Sequence, residues 1–344
     1  MVNISEQMAI CNPPYNESEQ GVIAMYSAVL VIGLPANILT TVLTLIQIRR
    51  KNVLAVFLFS LSLSELMYLG TLPLWILYVK NGHKWIWGPM ACKFTGYIFF
   101  NNIYISIFLL CCISIDRFLA VEYSLESRGV RRQRVAIITT FVLCMLVALT
   151  HSTTFFISDG DPEKGQATCF ETLPMAPLIA NFYYARFVIG FLIPLLILIY
   201  TNYTIKQRIE ASSSFTEHQK TKVKCLAVTI IIIFMICFAP YHIVLLLRAI
   251  VHSLNPTDSC GFEEKVYTTY SALLCLLTMN SVADPFIYVL VSENVRKDLY
   301  RAVRSWRGTL SVNTRSDKSL QPNIPNSREQ QVEKETSSQI THLS

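Results

Sequence analysis

Seven long apolar blocks constrain this chain more than any other feature of its sequence. They run over residues 22–48, 53–79, 94–115, 135–157, 178–205, 225–251 and 266–291. Each is long enough to cross the hydrocarbon core of a bilayer, which takes about 20 residues of helix. The fourth is the most dilute, because His151 and several threonines interrupt it. Composition agrees: 52% of the 344 residues are hydrophobic and 15% are charged, against about 25% charged in soluble domains. The expected fold is an all-α membrane protein, a seven-transmembrane helix bundle. Short connections argue for one bundle over 22–291, and no inverted repeat of the transporter kind is visible.

Basic residues predict the orientation. Arg49, Arg50 and Lys51 follow the first block, and Arg128, Arg131, Arg132 and Arg134 follow the third. Lys220, Lys222 and Lys224 precede the sixth, and Arg296, Lys297, Arg301, Arg304 and Arg307 follow the seventh. The remaining connections are acidic or mixed, with Asp159, Asp161 and Glu163 in one and Asp258, Glu263 and Glu264 in another. The positive-inside rule then places the N-terminus outside and the C-terminus in the cytosol of a multi-pass cell-membrane protein. The net charge of +6 is thus an orientation signal and does not point to nucleic acid.

Residues 1–21 carry no Lys or Arg, so they do not read as a cleavable signal peptide. They hold two glycosylation sequons, at Asn3 and Asn16, and are expected to form an extracellular glycosylated N-terminus. A third match at Asn202 falls at the inner end of the fifth block and is expected to stay unmodified. Beyond Tyr288, residues 292–307 read as a short amphipathic interfacial eighth helix, with Val295, Leu299 and Val303 on one face. Residues 308–344 are polar and rich in Ser and Thr, which predicts a disordered cytoplasmic tail. Of the ten cysteines, Cys11, Cys92, Cys169 and Cys260 fall on the outer side, where disulfides persist; four cysteines allow three pairings. The other six fall within or at the inner ends of blocks.

Polar residues inside apolar blocks are costly and mark function. Here they are Asn37, Glu65, Asp116 with Arg117, Arg186, and Asn280 with Asp284. Pro35, Pro73, Pro194, Pro240 and Pro285 accompany them, and Cys92 lies 25 residues before Arg117. On this ordered set the chain resembles the rhodopsin-like (class A) G-protein-coupled receptors over about residues 20–305. The matching stretches are "GLPANIL", "LSLSE", "DRF", "FMICFAPYH" and "NSVADPFIY". Within the family, "TLPLWILY", "LESRG" and "YYARF" are similar to the proton-sensing and oxidised-lipid group.

The resemblance implies a receptor and not an enzyme, with a heterotrimeric G protein as partner. It selects Cys92–Cys169 as one disulfide and leaves Cys11–Cys260 as the other. It implies that Arg117 is held by Asp116 at rest, beside Phe118, and turns to the G protein as the sixth helix moves outward. Ile107, Pro194 and Phe234 match the packing trio that relays ligand contact, with Phe238 in place of the usual Trp. Pro240, Asp284, Pro285 and Tyr288 complete the activation switch. Glu65, Ser106, Asn280, Ser281 and Asp284 match a cluster that binds a sodium ion; two carboxylates in a low-dielectric site need a cation or a proton between them. Leu125 matches the hydrophobic contact to the G protein, although Ser124 replaces a Pro. Tail phosphorylation by receptor kinases would recruit arrestin, and no Cys follows the eighth helix for a palmitoyl anchor.

Several departures stand out. Many relatives latch Arg117 with an acid twenty residues before Pro240, but here that position is Lys220. A loosely held resting state with basal signalling is the expectation. Asn202 occupies a place where a Tyr is common, and Glu65 replaces the usual Asp. Phe99 stands where amine receptors carry Asp, and Thr278 where opsins carry the retinal Lys, which argues against both classes.

The predicted ligand site centres on Arg186 in "NFYYARFVIG", a cation among aromatics suited to an acidic head group, with an acyl chain received by aromatic and Leu side chains. Phe99, Tyr104, Tyr184, Tyr241 and Arg248 join it, and His242 is expected to face the pocket beside Tyr241. Taken singly, Arg248 and Lys265 read as solvated entrance charges. Protons are the rival stimulus, through His83, His151 and His252; a non-signalling scavenger receptor is a further alternative. No permanent cofactor is expected.

Overall fold

The computed structural model describes residues 11, 14–122, 132–155, 168–170, 177–211, 216–255 and 259–291. Asn3, Leu125, the segment 292–307 and the tail 308–344 therefore lie outside the described residues, and only the backbone of Asn16 lies within them.

Among the described residues, seven helices are long and apolar enough to cross a membrane. They are α1 (Tyr15–Arg49), α2 (Val53–Lys80), α3 (Gly88–Glu122) and α4 (Gln133–His151). α5 joins Pro177–Phe187, a π-helical turn Val188–Leu192 and Ile193–Ala211. α6 joins Glu217–Ile233, a π-helical turn Phe234–Phe238 and Ala239–Leu254, and α7 joins Ser259–Thr278 to Asn280–Val291. Helices are the solution expected in lipid, where every backbone N–H and C=O must be satisfied within its own segment. Several run past the apolar blocks, because the backbone ladder continues until a cap or a turn ends it. Asn52 caps α2 by accepting from Leu54 N at 3.1 Å. Thr216 and Gln219 form a reciprocal capping box at the start of α6, which carries that helix eight residues ahead of its apolar block.

The prolines explain the breaks in regularity. Pro194 and Pro240 lack the N–H that would reach the carbonyls of Gly190 and Ile236, and each follows a π-helical turn, a common adjustment at such a gap. Pro285 likewise leaves the Ser281 carbonyl without its helical donor. The side chain of Asn37 supplies the missing bond, donating to Ser281 O at 2.7 Å and to Gly33 O at 2.9 Å. One buried amide thus compensates a proline in α7 and fastens α1 to it.

α3 is the central helix, packed against α2, α4, α5 and α6, while α7 packs on α1, α2 and α6. Its middle is fully buried, with Ile107, Leu109, Leu110 and Ile113 at 0% exposure. The outward faces are apolar instead: Ile138, Phe141 and Leu149 of α4 are each more than 60% exposed. A surface this apolar suits a bilayer. Two disulfides mark one end of the bundle, joining Cys92 of α3 to Cys169 and Cys11 to Cys260 of α7. Arg117 lies toward the opposite end.

Candidate functional site

At the disulfide end the helices enclose a cavity that reaches from α1 to α5 across the bundle. Val22 and Tyr26 of α1, Trp75 of α2, Phe99 and Phe100 of α3, Arg186 of α5, Arg248 of α6 and Tyr270 of α7 line it. Phe170 follows the disulfide residue Cys169 in the left-handed region, at φ 59°. Its ring lies over Gly96 of α3, where a Cβ would come within 1.9 Å of it, and packs edge-on against Phe100 at 5.7 Å between centroids. The disulfide and Gly96 together set this wall of the cavity.

Arg186 projects into the cavity with its guanidinium 4.2 Å from the centroid of the Phe100 ring. Among the described residues no carboxylate stands within ion-pairing distance of it. A cation over an aromatic face is attracted by the ring quadrupole, which replaces part of the hydration lost on burial. Arg248 behaves differently from its expected role as a solvated charge. It is 7% exposed, donates from Nε to Glu263 Oε2 at 2.8 Å, and lies over the Tyr270 ring at 4.4 Å. Glu263 is 4% exposed, so this is a desolvated ion pair between α6 and α7. Lys265 is exposed, as expected.

Phe99, Arg186 and Arg248 therefore meet in the cavity. Tyr104, Tyr184, Tyr241 and His242 do not line it. Tyr184 turns to α6, where its hydroxyl lies 3.1 Å from Ser253 Oγ. His242, expected to face the pocket, is fully buried in the helix packing. Its Nδ1 lies 2.8 Å from the Phe238 carbonyl, which places the ring proton there and leaves Nε2 as the acceptor for the Tyr104 hydroxyl at 3.5 Å. The ring stacks on Phe191 of the α5 π-helical turn, and Phe191 stacks on Phe234. Ile107, Phe234 and Phe238 are at 0% exposure and Pro194 is buried with them. A continuous stack of rings thus connects α3, α5 and α6, crossing both π-helical turns.

The three histidines expected to sense protons, His83, His151 and His252, are buried, each at 8% exposure or less. His83 lines the cavity, stacked on Tyr15 at 4.4 Å with Nδ1 3.3 Å from the Tyr267 hydroxyl. His151 stacks on Tyr104 at 4.9 Å. His252 sits near the disulfide end of α6.

Deeper in the bundle a polar cluster gathers around Glu65, which is 0% exposed. Ser106 Oγ donates to Oε1 at 2.8 Å, Asn280 Nδ2 donates to the same oxygen at 2.9 Å, and Ser281 Oγ donates to Oε2. Asp284 is 3% exposed, and neither carboxylate oxygen has a hydrogen-bond partner among the described residues. Pro285 stands next to it. All five residues of the expected cation cluster are therefore buried in one region.

At the opposite end Asp116 accepts from Arg117 Nε at 3.1 Å and from its terminal nitrogen. Arg117 lines a narrow cleft with Ser114 and Asn202 and with Val223, Ala227 and Ile230 of α6. Phe118 packs on Tyr200 of α5. Lys220 pairs with Glu217 one turn away at 3.0 Å, and Arg208 of α5 reaches Glu122 of α3 at 2.6 Å. The Tyr288 hydroxyl accepts from Gln47 Nε2 of α1 at 2.9 Å.

Sequence reading missed Glu263 as the partner of Arg248, since helical phase does not carry across the connection between α6 and α7. It also missed Phe100 and Tyr270, two aromatics among many. For Phe100 a signal existed: it lies one turn before Tyr104, on the same side of α3.

Comparison with known proteins gives a consistent result. A family model described as "7 transmembrane receptor (rhodopsin family)" matches residues 36–288. The chain is 49% identical over 300 residues to "Probable G-protein coupled receptor 132" of Mus musculus, covering 86% of this chain and 77% of that protein. It is 34% identical over 279 residues to "G-protein coupled receptor 68" of Homo sapiens, covering 80% and 75%. It is 32% identical over 284 residues to "Lysophosphatidic acid receptor 4" of Mus musculus, covering 80% and 76%.

Proposed function

The chain belongs to the rhodopsin family of seven-transmembrane receptors, a multi-pass membrane protein that couples to G proteins, and from that premise we propose that it responds to an acidic lipid. The observation that carries this reading is Arg186, a cation in an aromatic cavity with no carboxylate beside it among the described residues. A carboxylate or similar head group supplies the missing charge, and the apolar walls toward Val22, Tyr26 and Trp75 receive the chain. A relative named for lysophosphatidic acid supports a lipid as the ligand class.

In this reading the disulfide end faces outside and the C-terminus the cytosol. Contact at Arg186 and Phe100 passes through Tyr104, His242 and Phe191 to Phe234 and Phe238, where the α6 π-helical turn is a ready hinge for outward movement. Movement of α6 opens the cleft at Arg117 to the G protein. With no acid at position 220, the receptor has basal activity. Receptor kinases and arrestin act at the Ser- and Thr-rich tail. Proton sensitivity is weak, because the histidines are held inside the packing.

The buried oxygens of Asp284, unpartnered among the described residues, suit a hard monovalent cation such as sodium. Glu65, Ser106, Asn280, Ser281 and Asp284 would hold it, and it would supply the positive charge that two neighbouring buried carboxylates lack. Ser106, Asn280 and Ser281 orient Glu65 whichever cation or proton is present.

The test is a screen of free and oxidised fatty acids against pH on a G-protein panel, with Arg186→Ala as control. Losing a charge-assisted contact of about 1.5–3 kcal/mol lowers lipid potency roughly 10- to 100-fold. Unchanged potency in Arg186→Ala refutes the reading.

A further inference from the structure

Two guanidinium groups line one cavity, and only one of them is neutralised. Arg248 is committed to Glu263 in a pair whose members are 8% and 4% exposed. Arg186, on the neighbouring wall, has no carboxylate partner among the described residues. Among the described residues, the remaining titratable groups in the lining are His83, which shares a hydrogen bond with Tyr267, and tyrosines. Arg186, Arg248 and Glu263 thus give the described lining two positive charges and one negative, a net of one positive.

We infer that Glu263 sets the ligand class: by neutralising Arg248 it restricts the site to lipids whose head group carries one negative charge. This rests on the reading of Arg186 as the head-group anchor. A carboxylate at Arg186 completes the charge balance of the cavity. A phosphomonoester at neutral pH carries close to two negative charges, and the second finds no free cation among the described lining residues. Recruiting Arg248 does not solve this, because it strands the buried Glu263 carboxylate, and breaking one side of a desolvated pair is strongly unfavourable. Glu263 acts through Arg248 and need not touch the ligand, so it is a positioning residue for specificity.

Oleate and oleyl phosphate share one chain and differ only in the head group, which makes them the probes. Their binding to the purified full-length receptor in nanodiscs is measured by competition, with folding followed by thermal denaturation. The wild type is expected to prefer oleate by at least about tenfold, the loss typical of one unmet charge. Glu263→Gln frees Arg248, and the ratio shifts at least about tenfold toward oleyl phosphate. Removing both charges, in Glu263→Gln with Arg248→Gln, restores the preference for oleate. Equal or tighter binding of oleyl phosphate by the wild type overturns the inference even if Glu263→Gln does not fold, and so does an unchanged ratio in a folded Glu263→Gln. Arg186→Ala separates the two levels. If it leaves both affinities intact, the acidic-lipid reading fails; if it weakens both while Glu263→Gln leaves the ratio alone, only the charge rule fails.

Discussion

The ring of Tyr104 occupies the space beside Gly190 so fully that a Cβ at position 190 would lie 2.2 Å from Tyr104 Cε1. Gly190 is the residue whose carbonyl Pro194 leaves without its usual donor, so the π-helical turn of α5 and the Tyr104 ring depend on the same missing side chain. Gly190→Ala forces Tyr104 off its rotamer and away from His242. Overpacking of this kind costs about 1–3 kcal/mol. The purified receptor should melt several degrees lower and lose ligand-stimulated signalling while Arg186 still binds lipid. A variant with wild-type melting and signalling shows that the contact is slack.

The bond from Gln47 to the Tyr288 hydroxyl ties α1 to the far end of α7. Any rearrangement that moves Tyr288 toward Arg117 must first break it. One hydrogen bond contributes about 1 kcal/mol, a factor of about five in the balance of two states. Gln47→Ala is therefore expected to raise basal G-protein activation two- to fivefold at matched surface expression, with agonist potency increased in the same direction. A fall in basal activity contradicts a resting-state role for this bond.

The polar cluster yields a prediction about salt. Among the described residues, Glu65 is satisfied by three protein donors, whereas Asp284 has none. A buried carboxylate without a partner destabilises the fold until a cation or proton joins it. Asp284→Asn removes that requirement, so its thermal stability should no longer change when sodium replaces a bulky organic cation, while the wild type is stabilised by sodium. Glu65→Asp, shorter by one methylene, should show an altered dependence. Identical curves for all three proteins would remove the cluster from any account of ion binding.

The sequence conveys these features unevenly. The seven spans are visible because an apolar run long enough for a bilayer has few other uses, and Asn37 with Pro285 is visible because both are costly in a helix. The ends of α6 and α7 are not, since capping by Thr216 and the start of α7 at Ser259 owe nothing to apolarity. The aromatic stack is hidden for another reason. His242 reads as a pocket residue beside Tyr241, but Phe191 and Tyr104 claim its ring. Arg248 reads as a surface charge because its partner Glu263 lies across a connection that fixes no phase. Charges that pair between helices are the feature least legible from one chain.

The last prediction concerns the latch at the Arg117 end. Among the described residues, Asp116 is the carboxylate that pairs with Arg117, and it sits on the same helix. No ion pair there spans α3 and α6. Val223 and Ala227 line the cleft with Arg117, and Lys220 lies one turn before Val223 on the same side of α6. Lys220 is bound to Glu217 of its own helix, so it supplies nothing that closes the cleft. Lys220→Glu places an acid on that face and creates an attraction that exists only while α6 is docked. At partial exposure such a pair contributes about 0.3–1 kcal/mol, which lowers basal signalling roughly two- to fivefold. Lys220→Gln, which removes the positive charge without adding an attraction, should fall between the two. Basal G-protein turnover at equal surface density decides it, and a Lys220→Glu receptor as active as the wild type would mean that this end of α6 is held by packing alone.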